Sequence, residues 1–178
     1  LVRDGKVAAL MKGALHTDEL MEAVVDTALG LRTERRMSHV YVLDVPTYPK
    51  PLLITDAAIN IYPDLNIKRD IVQNAIDLAL ALGVIEPKVA ILSAVETVNP
   101  RIASTLDAAA LCKMADRGQI TGWLLDGPLA FDNAVSAVAV AAKGLISDVA
   151  GDAAMLGARS EEHTSELQSR SERACRRR

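Results

Sequence analysis

Residues 88–132 read KVAILSAVETVNPRIASTLDAAALCKMADRGQITGWLLDGPLAFD, and the way this stretch alternates decides the fold. KVAILSA (residues 88–94) is a short apolar run of strand length. A polar loop, SAVETVNP, follows it. From 101 to 116 the apolar positions Ile102, Leu106, Ala109, Ala110, Cys112 and Met114 recur at helical spacing. GWLLD (122–126) is a second strand-like run. Strand, helix, strand in about forty residues is a βαβ unit, and parallel strands need helices over the sheet.

Working outward, the same alternation continues. Residues 130–143 form a helical run closed by Gly144, and 67–82 form a long one with Ile67, Ile71, Ala75, Leu78, Ala79 and Leu82 on one face, closed by Gly83. Before it, SHVYVLDV (38–45) and PLLIT (51–55) are strand-like, and the short Pro-rich link between them predicts an antiparallel pair. Nearer the start, KVAALMK (6–12) reads as a buried strand. Thr17 is a suitable N-cap, with Asp18 and Glu19 in the first turn of a helix that Gly30 stops. Residues 31–37 are polar and basic, a connection. The class is α/β, and ligands of such sheets gather at the carboxyl ends of the strands. Those ends fall at Lys12–Gly13, Thr55–Asp56, Ser93–Ala94 and Asp126–Gly127.

Composition agrees. The 178 residues are 50% hydrophobic and 24% charged but only 3% aromatic, so the core is built from Ala, Val, Ile and Leu. No apolar run reaches the roughly 18 residues of a membrane-spanning helix, and the opening residues lack a signal-peptide layout, which makes a cytoplasmic protein the expectation. The two cysteines, Cys112 and Cys175, have no metal-ligand spacing. From Arg159 the composition breaks: RSEEHTSELQSRSERACRRR carries net +2 with Leu167 as its one large apolar residue, whereas residues 1–158 carry −5. That tail is expected to be disordered. Residues 159–169 resemble the translation of a sequencing-library adapter, so the segment is set aside as foreign to the fold. The acidic body argues against a nucleic-acid surface.

Four segments could carry chemistry. In KGALHT (12–17) the backbone N–H groups at a helix start, with Lys12, His16 and the Thr17 hydroxyl, could hold an anion such as phosphate; a capped helix with solvated Lys and His is the plainer account. In TDAAINIYP (55–63) Asp56 and Asn60 open from an apolar strand, as ligand contacts or as an Asx turn. LLDGPLAFD (124–132) places Asp126 at a strand end before a Gly-Pro turn. SAVETVNP (93–100) carries Glu96 and Asn99. Signatures for nucleotide loops, nucleophile elbows and zinc proteases are absent.

These segments in this order, with LDAAALCKMADRGQI between the last two, resemble the phosphate acetyltransferase and phosphate butyryltransferase family over about residues 1–151. The phrasing VETVNPRIASTLDAAALCKMADRGQITG is similar to the butyryltransferase-like branch, which includes acyltransferase modules fused to an enoyl-CoA hydratase-like domain. The resemblance implies two α/β/α domains with an interdomain cleft, the first incomplete: residues 1–33 in the first, 34–147 in the second, 148–158 returning toward the first, and 159–178 outside both. It implies the reaction acyl-CoA plus phosphate giving acyl phosphate plus CoA. It implies further that no cofactor or metal is permanently bound, that CoA enters as a substrate, and that the full-length protein is a homo-oligomer. By position Lys12, Gly13, His16 and Thr17 would face the cleft from one side, Asp56, Asn60 and Asp126 from the other. The sequence departs from the family at Met21, where the acetyltransferase branch has an arginine, and the catalytic Ser, Arg and Asp are expected beyond Asp152, so this chain alone is expected to be inactive. Two other readings are a metal-dependent decarboxylating dehydrogenase of the same fold, whose Asp cluster and Arg-rich motif are not seen, and a non-catalytic CoA-binding or regulatory module.

Overall fold

The computed structural model describes residues 2–56 and 58–157. The chain divides into two compact units, Leu1–Met37 and a second beginning at Ser38. In the first, Thr17–Val25 forms α1, with His16 rather than Thr17 at the N-cap and Asp18 and Glu19 in the first turn. The helix stops short of Gly30. Asp26 turns its Oδ1 onto the N–H groups of Leu29 (2.6 Å) and Ala28 (2.9 Å), an Asx turn that competes with further helix. These donors, Leu29 first and then Ala28, hold the Asp26 carboxyl below its usual range.

The second unit is a five-stranded sheet covered on both faces. Its strands are β1 (Val40–Leu43), β2 (Leu52–Thr55), β3 (Val89–Leu92), β4 (Leu125–Leu129) and β5 (Met155–Gly157). The helices are α2 (Leu65–Ala81), α3 (Ala103–Asp116), α4 (Phe131–Val135) and α5 (Ala137–Lys143). Spatial order is β1-β2-β5-β3-β4. β1 runs antiparallel to β2, Val40 opposite Thr55, and the other neighbours are parallel. Leu53, Met155, Val89 and Leu125 lie in one register row, and Ile54, Leu156, Ala90 and Asp126 in the next.

Because side chains alternate across a strand, the sheet builds two cores. Leu53, Val89, Ile91 and Met155 pack against Val72, Ala75, Ile76 and Ala79 of α2 and Ala108 and Leu111 of α3. Leu52, Ala90, Leu92, Leu129 and Leu156 face the other way, toward Ala134 of α4, Val149 and Ala153. Asp64 caps α2 by accepting from the Ile67 N–H at 2.8 Å. Lys68, almost wholly buried, reaches Asp107 at 2.6 Å and ties α2 to α3. At the amino ends of the parallel strands Asp152 bridges Lys50 (2.5 Å) and Lys88 (3.0 Å). The neighbouring Tyr48 donates to the Ala153 carbonyl at 2.6 Å. Burial, and then the Asp152 charge, push that phenol up to about 12.

The structure departs from the sequence reading in five places. Residues 6–12 form no strand; Leu10 and Met11 are exposed, because the described part of this unit offers no strand to pair with, and an isolated strand is not stable. The boundary falls after Met37, not after 33. The helix expected over 130–143 is two, α4 and α5, broken at Ser136, whose hydroxyl caps the second by accepting from the Ala139 N–H. β4 runs through Gly127 and Pro128, where the sequence predicts a turn. Residues 148–157, expected to lead back toward the first domain, instead supply β5 in the middle of this sheet. The tail from Arg159 lies outside the described residues.

Candidate functional site

The carboxyl ends of β2, β3 and β4 share one edge of the sheet, and the polar residues collect there. Asp56 follows β2 directly and is 3% exposed; Asn60 is 7% exposed. The Asp56 carboxylate accepts from the N–H groups of Ala58 and Ile59 (3.0 Å each) and of Asn60 (3.3 Å), and from Asn60 Nδ2 at 2.6 Å. The structure therefore brings Asp56 and Asn60 together. It uses the carboxylate to fold its own loop, and the Asx-turn account describes the geometry.

Two strands away, the Ser93 N–H donates to the Leu129 carbonyl at 2.9 Å, the last rung between β3 and β4. Beyond it the strands part. The buried Ser93 and Ser104 hydroxyls share a 2.7 Å hydrogen bond. The Asn99 N–H donates to Thr105 Oγ1 at 2.9 Å, and the Asn99 side chain accepts from the Arg101 N–H at 3.0 Å, so the β3–α3 loop is pinned to the first turn of α3. Glu96, at the crest of that loop, accepts from Asn133 Nδ2 and from Lys143 Nζ at 2.7 Å. Lys143 also lies 3.4 Å from Asp132. The Glu96 hydrogen bond, then the charges of Glu96 and Asp132, raise the Lys143 ammonium above its usual range.

The remaining sequence candidates lie elsewhere. Asp126 is not a strand-end residue. It is the second residue of β4, level with Ile54, and its carboxylate accepts from the Gly127 N–H at 2.8 Å and from the Ser147 hydroxyl. The extension of β4 through Pro128 moved the strand end three residues on. Lys12, Gly13, His16 and Thr17 are all exposed in the first unit. Lys12 Nζ donates to the Leu15 carbonyl at 3.0 Å, a short loop closed by its own side chain, with free backbone N–H groups at the start of α1 beside it. Sequence reasoning named Glu96 but missed Asn133 and Lys143. Asn133 stands one residue past the quoted LLDGPLAFD, in a helix too short to show a period. Among the described residues no group of three or more His, Cys, Asp or Glu side chains could hold a metal ion. No helix there is long and apolar enough to cross a membrane.

Residues 1–156 match the protein family described as Phosphate acetyl/butaryl transferase. The chain is 65% identical over 156 residues to a phosphate acetyltransferase of Rhizobium meliloti, covering 88% of this chain and 49% of the relative. It is 48% identical over 153 residues to a phosphate butyryltransferase of Clostridium acetobutylicum, covering 86% and 51%. The chain thus spans about half the length of the curated relatives it matches. Among solved structures, a branched-chain phosphotransacylase from Enterococcus faecalis superposes with TM-score 0.79 at 32% identity, covering 88% of this chain and 56% of that one.

Proposed function

We propose, for a chain that belongs to the phosphate acetyl/butyryl transferase family, that the full-length parent moves an acyl group between CoA and inorganic phosphate. The observation that carries this is the match over residues 1–156, which takes in nearly every described residue. The sheet supports it: a doubly wound architecture with its polar loops gathered at one carboxyl edge suits a large, flexible substrate better than a small buried one.

The chemistry sets requirements that can be assigned to this chain in part. The CoA thiol must be ionised for attack on the acyl phosphate, since a thiol of pKa about 8.5 is mostly protonated at neutral pH. The phosphate and the developing oxyanion need cations and N–H donors. We assign the anion-binding share to Lys12, Gly13, His16 and Thr17, where an ammonium, an imidazole and the free N–H groups of α1 lie within one loop. Asp56 and Asn60 shape the loop after β2 that faces the ligand. To Asp126, within β4, we assign a supporting role. CoA is substrate, not resident cofactor; acyl-CoA and phosphate meet in the cytoplasm, and the parent is a homo-oligomer, which sedimentation would test.

The decisive test measures phosphate-dependent release of the CoA thiol from acetyl-CoA and butyryl-CoA. Run on the full-length parent, it is expected to show turnover with at least one of the two. The present chain is expected to show none, because catalysis here needs converging groups, and misplacement of about 1 Å can cost ~100-fold. Absence of release by the parent with both substrates would overturn the reading.

A further inference from the structure

We draw no further inference here: the strongest candidate, the outer edge of the sheet at β1, where Tyr41 and Val42 stand half exposed, is an unpartnered apolar surface, and nothing in the structure shows what covers it.

Discussion

Replacing Asp56 by Ala removes the acceptor that folds the loop after β2. Four donors converge on this carboxylate: the N–H groups of Ala58, Ile59 and Asn60 and the Asn60 amide. Ala58 and Ile59 are exposed, so water replaces much of what they lose, and each is worth about 0.5–1.5 kcal/mol. The two donors of buried Asn60 lose charge-assisted bonds of about 1.5–3 kcal/mol each with little access to water. Against this, deletion relieves the cost of keeping a 3%-exposed carboxylate out of solvent. The net expectation is a loss of about 3–5 kcal/mol, in the range of broken buried networks. Trp123, the chain's single tryptophan, lies just before β4 in the same unit and reports its unfolding by fluorescence in urea. With a slope of about 1.5 kcal/mol/M for a unit of this size, the midpoint should fall by about 2 M or more. A fall of less than about 0.5 M would show that the loop does not depend on the carboxylate, and would refute the assignment of Asp56 as its organiser. By the same geometry Asn60→Ala cannot be silent in stability: it deletes the 2.6 Å bond and should cost about 1.5–3 kcal/mol in the same titration.

Three further expectations follow from other parts of the unit. Hydrogen bonds from Lys50, and then from Lys88, hold the Asp152 carboxyl below its usual range, so its contribution is present above about pH 4 and is lost as pH falls through the depressed value. The unfolding free energy of Asp152→Asn should therefore lie below that of the unsubstituted chain at pH 7 by no more than about 1 kcal/mol, the site being half exposed, and converge with it once pH has fallen below the depressed value; a difference that grows on acidification would contradict the sign. Burial, and then the charges of Asp126 and Asp116, push the Cys112 thiol up to about 12; in a Cys175→Ser background, disulfide-reagent labelling at pH 8 should be at least about a hundredfold slower in the folded than in the urea-unfolded chain, and comparable rates would show the thiol to be accessible. A Cβ on Gly127 would stand 2.7 Å from the Ile91 carbonyl oxygen, an atom fixed in the backbone of β3, so Gly127→Ala should cost about 2–3 kcal/mol; a thermal melt within a degree of the unsubstituted protein would refute that close approach.

The sequence alone determined what depends on local pattern. The antiparallel pair β1 and β2, the long helix α2 and the β3–α3 unit stand within a few residues of where spacing put them, because each carries its own period and its own stops, Asp64 before α2 and Gly83 after it among them. The family, too, was legible in the order of four polar segments. What the tertiary structure decided is what depends on neighbours. β5 is three residues long and buried on both faces; so short an apolar run has no period to read, and it is a strand only because β2 and β3 leave a place between them with backbone groups to be paired. Pro128 looked like a turn because it cannot donate to a ladder, yet β4 is an edge strand and needs hydrogen bonds on one side only. That single fact carried the strand end from Asp126 to Leu129 and left Asp126 inside the strand. Burial of Asn133, and the Glu96 carboxylate facing its NH2 group, follow from the packing of α4 against a loop 37 residues away in sequence, which no local window contains.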